Sequence, residues 1–427
     1  MNISELLKGR ETCECGKSHL CPIKKVEIGK GAIGRIPSLT EAYKRVFLIC
    51  DGNTYKAGGK SVESVISDKI CGRIIFSGDE ILIPNESAIE NARCAVPDGC
   101  ELIIGVGSGV INDISKYVSF ILGLPYYIVA TAPSMDGYAS PGSALILDGM
   151  KVTLNARVPE AIIADTDVLK NAPMDMILAG YGDVIGKYSC LADWKLSSIV
   201  NGEYICDFVI GETYAQADKT RSLAKGLLKR DADAIEALIE ALIAVGILMA
   251  YVGNSRPASG SEHHFSHYFE IVGIVKGEKY LPHGADVFYS SAETAKIREE
   301  LLSLSATDVL PCRSDKEKYE SDIRRIYGKI ADEVLSLQNK LTLYSDTERR
   351  ISVYKEKLDE IKAVLKSAPS FSEVCKMLSE VGFEYSDFLS FYGERKIKDA
   401  YLYAKDLKDR YTVLWMYYDL YSSDEGK

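Results

Sequence analysis

The sequence has few histidines, no long hydrophobic stretch and no excess of basic residues. Histidine occurs 5 times in 427 residues. The longest apolar run, ALIAVGILMAYV at residues 241–252, is too short to span a bilayer and predicts a buried helix. Lysine and arginine total 51 against 61 acidic residues, so the net charge of −10 provides no general field for nucleic acid or anionic lipid. We therefore expect no nucleic-acid partner and no membrane span, and an anionic ligand needs a local site.

The N-terminal residues 1–17 are polar and lack the apolar segment of a signal peptide, so we expect a cytoplasmic protein. In that compartment the 11 cysteines predict reduced thiols rather than disulfides. The composition, 47% hydrophobic and 26% charged, is typical of a folded protein rather than a disordered or fibrous one. At about 100–200 residues for each domain, the length predicts two or three domains.

Short apolar runs alternate with helical stretches in the first third of the chain. The strand candidates are residues 46–50, 72–76, 81–83, 101–106 and 126–130. Helical patterns dominate after about Asp165, and one long helix is predicted from Asp231 to Val252. Apolar strands separated by helices predict a parallel sheet. The expected fold class is an α/β nucleotide-binding domain over residues 1–170, followed by an all-α domain over residues 171–427.

A glycine-rich loop lies between a strand candidate and a helix candidate, in GVGSGVIND at residues 105–113. Glycines allow the backbone to approach a ligand closely, and the N–H groups at a helix start attract phosphate. The spacing departs from GxGxxG because residue 110 is valine, so a pyrophosphate site and a plain tight turn both remain open. Asp51 ends another strand candidate, where it can accept a hydrogen bond from a ribose or begin an Asp-Gly turn.

Four of the five histidines, His263, His264, His267 and His283, fall close together in the sequence. On a helix, His263 and His267 share a face and His264 is turned away. Two imidazoles on one face and a third from a following loop suit a divalent metal ion. A polar helix face held by hydrogen bonds is the alternative.

A carboxylate that would complete such a site is Asp183, in AGYGDVIGK at residues 179–187. A carboxylate among small and apolar residues is costly to bury unless it is paired or bound to metal. Helix capping or an ion pair with Lys187 is the alternative.

A second group of potential ligands lies near the N-terminus. Cys13, Cys15, His19 and Cys21 offer four soft ligands within nine residues. The group lacks the CxxC pairs typical of structural zinc, so a metal site and reduced, unliganded thiols both remain open.

The sequence contains the motifs GSG at residues 107–109 with Asn112, Asp113 and Lys116, TAPSMDGYAS at 131–140, GYGD at 180–183, NSRPASGSEH at 254–263 and DRYTVL at 409–414. Together these motifs resemble those of the sn-glycerol-1-phosphate dehydrogenases, particularly their bacterial branch. That family belongs to the superfamily of iron-dependent alcohol dehydrogenases, glycerol dehydrogenases and dehydroquinate synthase-like proteins. The resemblance runs from about residue 28 to at least residue 283 and implies the dehydroquinate synthase-like fold.

The resemblance implies roles for individual residues. Asp183, His263 and His283 match metal ligands, and Asp183 thereby also lies beside the substrate. Asp136 and His267 match residues that bind the substrate and act in catalysis, whereas the spacing argument had placed His267 on the metal; we follow the resemblance. The residues implied to bind the cofactor are Asp51, Gly107, Ser108, Gly109, Asn112, Asp113, Thr131, Ser134 and Ser140. His264 matches no functional position.

The activity implied by the resemblance is a metal-dependent, NAD(P)-linked dehydrogenase that interconverts dihydroxyacetone phosphate and sn-glycerol 1-phosphate by hydride transfer. The implied cofactors are NAD or NADP and one divalent metal ion, for which zinc, nickel and iron all tolerate Asp-His-His ligation. Asp51 would favour NAD through its ribose contact. The partner is a small phosphorylated substrate, and a homo-oligomer is compatible with the sequence. Arg256 and Lys187 are cations near the motifs, but neither is assigned to the phosphate.

Two other enzymatic activities remain open. One is a glycerol dehydrogenase acting on an unphosphorylated polyol, and the other is a dehydroquinate synthase-like sugar-phosphate cyclase, a lyase that regenerates its NAD in each turnover. Net NADH consumption with dihydroxyacetone phosphate distinguishes a dehydrogenase from the lyase. A non-enzymatic metal-binding or scaffold protein predicts no NAD binding at all.

Overall fold

The chain forms two compact units in the computed structural model, which describes residues 1–312, 315–340 and 346–422. The first unit is Met1–Val184 with Gly211–Ser255, and the second is Ile185–Ile210 with Arg256–Lys427. By its contacts, the late stretch Gly211–Ser255 belongs to the first unit. The predicted domain boundary at residue 170 stays a prediction. Independent folding of residues 1–170 stays a prediction.

The strands all lie in the first unit, every residue of which is described. They are β1 (Lys25–Gly29), β2 (Val46–Asp51), β3 (Ile70–Phe76), β4 (Leu102–Gly107), β5 (Tyr126–Ala130), β6 (Gly142–Leu147), β7 (Met150–Asn155) and β8 (Ala161–Asp165). Six of them form one parallel sheet in the order β1-β8-β5-β4-β2-β3, and β6 and β7 form an antiparallel hairpin. The predicted parallel sheet is therefore confirmed.

The inner strands of the sheet are apolar along their length because both of their faces are covered. Every residue of β4, β5 and β8 is buried, as expected of parallel strands between helical layers. The strand predicted at residues 81–83 is wrong. Ile81 is 83% exposed, and no strand forms at residues 81–83. Pro84 comes directly after these residues, and Asn85 then caps the next helix. Strands β1, β6, β7 and β8 were not predicted.

The α-helices are, in chain order, α1 (Ile3–Leu6), α2 (Ile36–Leu39), α3 (Gly52–Thr54), α4 (Lys60–Val65), α5 (Glu86–Ala95), α6 (Gly109–Ile121), α7 (Thr166–Leu169), α8 (Met174–Ile185), α9 (Lys187–Asn201), α10 (Asp207–Arg221), α11 (Ala224–Leu228), α12 (Ala232–Val252), α13 (Ser261–Lys276), α14 (His283–Leu302), α15 (Lys316–Tyr327), α16 (Ala331–Lys340), α17 (Thr347–Glu356), α18 (Leu358–Leu365), α19 (Phe371–Glu380), α20 (Tyr385–Tyr392), α21 (Glu394–Tyr403) and α22 (Val413–Tyr421). The 3₁₀-helices are Ala32–Arg35, Gly137–Ala139, Gly328–Ile330 and Ala404–Leu407, and Tyr55–Gly59 is a π-helix.

The helix α12 confirms the long helix predicted from Asp231. The Asp231 carboxylate accepts a 3.2 Å hydrogen bond from the Asp233 N–H and caps the helix. Among the described helices α12 alone is long and apolar enough to cross a membrane, and 72% of its apolar window is buried inside the protein. It packs against α1, α7, α11 and β1 in the first unit, which is the environment of a core helix.

The described residues of the second unit form helices and no strands, which confirms the all-α prediction for this part of the chain. The helices α13 and α14 pack against each other, and aromatic side chains extend their core. The rings of Phe269 and Tyr392 stack at 4.0 Å between centroids. A buried ion pair joins Arg350 Nε to Asp419 Oδ2 at 2.7 Å.

Candidate functional site

The strand order of the sheet changes direction between β2 and β4. These two strands are neighbours, paired from Val46↔Leu102 to Ile49↔Gly105, but the chain leaves β2 towards β3 on one side and leaves β4 towards β5 on the other. In open parallel sheets the crevice beyond the carboxyl ends at such a point is the usual ligand site. Asp51 is the last residue of β2 and Gly107 is the last of β4, so both predicted cofactor positions lie at this edge.

The two glycines of the loop have different structural roles. A Cβ at Gly107 would lie 2.4 Å from Cβ of Ile111, so the close packing of β4 on α6 requires glycine there. A Cβ at Gly109 would meet only Met135 Cγ, at an ordinary 3.6 Å. The protein itself therefore has space for a side chain at residue 109. Residue 109 is also the first residue of α6, and the first N–H groups of a helix have no partner within the helix.

The loop at residues 131–140 is attached to α6 by a buried lysine. Lys116 Nζ donates hydrogen bonds to the Gly137 carbonyl at 3.0 Å, the Ser140 hydroxyl at 3.0 Å and the Gly142 carbonyl at 2.8 Å. Asn112 Nδ2 also donates to the Gly137 carbonyl, at 3.1 Å. Burial lowers the pKa of Lys116. Lys116 and Asn112 thus hold the conformation of this loop.

Other predicted cofactor residues border the same loop. The Thr131 N–H donates to the Gly107 carbonyl at 3.1 Å, and the hydroxyls of Ser108 and Ser134 are hydrogen-bonded to each other. Asp113 Oδ1 lies 3.6 Å from Lys116 Nζ. The contact between the two serines brings the glycine loop and the 131–140 segment together at one end of the sheet.

Asp51 caps the short helix that follows β2. Its Oδ1 accepts hydrogen bonds from the N–H groups of Asn53 at 2.8 Å and Thr54 at 2.9 Å. Asp51 is thus a helix cap rather than part of the Asp-Gly turn named as the alternative, and its predicted ribose contact stays a prediction.

Asp183 lies on α8 and is joined directly to the 131–140 loop. The Asp136 N–H donates to Asp183 Oδ2 at 2.9 Å, and Asp183 is only 1% exposed. A Cβ at Gly180 would lie 1.8 Å from the Pro133 carbonyl oxygen, so the close approach of helix and loop depends on this glycine. The TAPSMDGYAS and GYGD motifs therefore form one structure within the first unit.

The three histidines predicted to act together form a cluster in the second unit. His263 and His267 lie on α13, and His283 is the first residue of α14. Their ring centroids are 5.1 Å apart for His263 and His283, 5.5 Å for His267 and His283, and 6.1 Å for His263 and His267. The predicted shared face of α13 is confirmed.

His264 faces a different environment, as its helix position predicts. It is fully buried, and burial together with the positive charges of Lys408 and Arg410 lowers its pKa well below the usual value. It is therefore a neutral core residue, which agrees with its lack of a match to any functional position.

Two of the clustered histidines are oriented through Nδ1. His263 Nδ1 lies 2.7 Å from Glu262 Oε1, and His283 Nδ1 lies 2.9 Å from Ser266 Oγ. With the proton assigned to Nδ1, each ring presents Nε2 as the ligand nitrogen, which is the usual arrangement at a metal site. Burial raises the pKa of Glu262 to about 8. Neither Glu262 nor Ser266 was predicted, although an acidic residue directly before a histidine in a buried helix is a usable sequence signal.

The start of α13 is held by residues that are distant in sequence. Asp193 accepts hydrogen bonds from the Ser261 N–H at 2.6 Å and the Val413 N–H at 2.7 Å. A Cβ at Gly260 would lie 2.6 Å from Cα of Cys190, so α13 begins in close contact with α9. The DRYTVL motif thus supports the histidine helix.

The two cations noted near the motifs have structural partners. Arg256 donates from Nε to Glu203 Oε1 at 2.7 Å and from Nη1 to the Tyr411 carbonyl at 2.9 Å. Lys187 Nζ donates to the Ala258 carbonyl at 3.0 Å. Both side chains support the segment before α13.

Comparison with known proteins defines the class. Residues 27–173 match the sequence family described as iron-containing alcohol dehydrogenase. The fold is similar to that of a sulfoacetaldehyde reductase from Bifidobacterium kashiwanohense solved with NAD+ (TM-score 0.59, 15% identity, covering 95% of this chain and 99% of that one). It is also similar to a glycerol dehydrogenase from Schizosaccharomyces pombe (TM-score 0.53, 19% identity, 87% and 92% covered). The fold is therefore that of the iron-containing alcohol dehydrogenases and glycerol dehydrogenases.

Curated relatives identify the family within that class. The chain is 33% identical over 337 residues to the glycerol-1-phosphate dehydrogenase [NAD(P)+] of Bacillus licheniformis, covering 77% of this chain and 82% of the relative. The enzyme of the same name from Sulfurisphaera tokodaii is 36% identical, with 60% and 73% covered. The chain belongs to the glycerol-1-phosphate dehydrogenase family, which confirms the resemblance noted in its motifs.

Proposed function

We propose that this protein interconverts dihydroxyacetone phosphate and sn-glycerol 1-phosphate by metal-dependent hydride transfer with NAD(P). The observation that carries the proposal is the cluster of His263, His267 and His283 in a member of this dehydrogenase family. Two of the three rings, those of His263 and His283, are oriented through Nδ1. The substrate is then a small phosphorylated ketone or alcohol.

The metal ligands we propose are Asp183, His263 and His283. They supply one carboxylate oxygen and two imidazole nitrogens, a donor set accepted by zinc, nickel and iron. The Nδ1 contacts to Glu262 and Ser266 support the histidines as ligands, because second hydrogen-bond partners of this kind orient metal-binding imidazoles. When bound, a divalent ion polarises the carbonyl of the substrate, an effect worth several kcal/mol.

The substrate is oriented by Asp136 and His267 in this proposal. The backbone of Asp136 is held by its hydrogen bond to Asp183, and its carboxylate would accept hydrogen bonds from substrate hydroxyls. The ring centroids of His267 and His283 are 5.5 Å apart. The side chain of His267 is less buried than that of His263, and a residue that exchanges protons with the substrate needs such access.

The nicotinamide cofactor is proposed to bind at the edge where the sheet order reverses. The glycine loop at residues 107–109 would receive the pyrophosphate, and Asp51 would accept hydrogen bonds from the ribose and favour NAD. Asn112 and Asp113 are also proposed to belong to this site, where Asn112 bonds the Gly137 carbonyl and Asp113 lies beside Lys116. The remaining proposed contacts are Thr131, Ser134 and Ser140. The cofactor supplies the hydride, and the protein aligns it with the carbonyl carbon.

The proposal is tested by following the absorbance of NADH in the presence of dihydroxyacetone phosphate. The protein is first stripped with a chelator and then supplied with zinc, nickel or iron separately. Net NADH oxidation that depends on both the metal and the phosphorylated ketone is expected. Oxidation of glycerol equal to that of sn-glycerol 1-phosphate would instead indicate a glycerol dehydrogenase, and phosphate release from a heptulosonate phosphate without net NADH loss would indicate the lyase.

We further propose that the protein acts in the cytoplasm, a compartment in which its 11 cysteines would stay reduced. Cell fractionation with an antibody to the chain tests the location. Sedimentation of the purified protein determines whether it forms a homo-oligomer.

A further inference from the structure

A short loop near the N-terminus is closed by backbone pairing. The Arg10 N–H donates to the His19 carbonyl at 2.7 Å, and the His19 N–H donates to the Arg10 carbonyl at 2.8 Å. Inside this loop the Gly16 N–H donates to the Cys13 carbonyl at 2.9 Å, and Gly16 has a φ of +80°. The turn places Cys13 and Cys15 on the same loop as His19.

The side chains of this loop bring three potential metal ligands together. One ligand atom from each of Cys13, Cys15 and His19 lies within 4.8 Å of the others. Cys15 Sγ is 3.3 Å from His19 Nε2. Around a tetrahedral zinc ion, sulfur and nitrogen ligands are about 3.6 Å apart and two sulfurs are about 3.8 Å apart. The three atoms are therefore spaced closely enough to occupy three corners of such a tetrahedron.

His19 is also oriented as a metal ligand. Its Nδ1 lies 3.1 Å from the Tyr251 carbonyl, so Nδ1–H donates there and Nε2 is the nitrogen turned towards Cys15. The imidazole is fully buried and stacks on the Tyr251 ring at 5.4 Å between centroids, with 19° between the planes. A backbone carbonyl is one of the usual partners of the Nδ1–H group in a zinc-bound histidine.

We propose that Cys13, Cys15 and His19 bind a structural Zn²⁺ ion, separate from the ion proposed for catalysis. Two thiolates neutralise the charge of the ion, and no oxidation or reduction is required. Because Tyr251 belongs to α12, the ion would fasten the N-terminal segment to the core helix of the first unit. One further donor completes four-coordination.

The test measures zinc, nickel and iron in the full-length protein, purified under reducing conditions, by elemental mass spectrometry. Two metal equivalents for each chain are expected. Cys13→Ser and Cys15→Ser should each lose one equivalent, while Cys94→Ser, which changes an exposed thiol on α5, should lose none. The variant His263→Ala should retain the N-terminal equivalent, which distinguishes failure of this proposal from failure of the proposed catalytic site. Unchanged metal content in both Cys13→Ser and Cys15→Ser would overturn the proposal.

A second measurement needs no substitution at the proposed ligands. Alkylation followed by peptide mapping should show Cys13 and Cys15 protected in the native protein and modified after chelation. A Cys13–Cys15 disulfide, seen as a peptide two hydrogens lighter, or thiols that react equally before and after chelation, would overturn the proposal. Serine replacement of each remaining cysteine in turn, beginning with Cys21, then identifies any fourth thiolate ligand.

Discussion

The backbone N–H of Asp136 donates a 2.9 Å hydrogen bond to Oδ2 of Asp183. This bond joins a residue proposed to orient the substrate to a residue proposed to bind the metal. A hydrogen bond from an N–H group stabilises the ionised carboxylate, which is the form that binds metal. One contact therefore positions both groups, and a change at either residue is expected to affect the other.

Replacing Asp183 with asparagine is expected to remove the bound catalytic metal while preserving the fold. The amide keeps the shape of the side chain and its oxygen can still accept from Asp136, but it lacks the charge that attracts the ion. Metal content and NADH oxidation should both fall to background, and the circular dichroism spectrum should be unchanged. Full catalytic metal content in Asp183→Asn would contradict the ligand assignment.

The variants His263→Ala and His267→Ala are expected to separate metal binding from proton transfer. Loss of His263 removes a ligand, so the catalytic ion and the activity are lost together. Loss of His267 should leave the ion bound and lower kcat by roughly 10²–10⁴-fold, the usual contribution of a general acid or base. Elemental analysis and steady-state kinetics on both variants provide the comparison. If His267→Ala also loses its ion, His263 and His267 are both ligands.

Substitutions at the two loop glycines should affect different properties, cofactor affinity at Gly109 and protein stability at Gly107. Gly109→Val is expected to fold normally but to weaken NADH binding by about tenfold or more, because the side chain occupies the space of the approaching pyrophosphate. Gly107→Ala is expected to destabilise the protein by roughly 1–3 kcal/mol, since its Cβ would overlap Ile111. Nicotinamide fluorescence titration measures the first effect and urea unfolding the second. An unaltered affinity in Gly109→Val would place the cofactor elsewhere.

Lys116→Met is expected to lower the free energy of unfolding by about 3 kcal/mol, because it removes three buried, charge-assisted hydrogen bonds to Gly137, Ser140 and Gly142. Lys170→Met is the matched control, since Lys170 forms a partly exposed ion pair worth at most about 1 kcal/mol. Chemical denaturation of both variants gives the difference. Equal stabilities would show that the lysine does not hold the loop.

Several features of the fold and the site were predictable because they depend on residues close in sequence. The apolar runs of β2, β4 and β5 and the helix beginning after Asp231 follow from hydrophobic pattern and capping. The shared face of His263 and His267 follows from helix periodicity. The strand predicted at residues 81–83 failed because an apolar run alone does not reveal whether a sheet neighbour will cover it.

Patterns among residues close in sequence were thus enough to predict a parallel sheet, a helical second part of the chain, a glycine loop and a helix face that carries histidines. Only the folded structure assigned the distant partners: Ser266 to His283, Lys116 to the loop around Gly137, and Tyr251 to His19. It also placed residues 211–255 back in the first unit. These pairings join residues up to 232 positions apart, and which buried donor meets which acceptor depends on how the elements pack rather than on any local pattern.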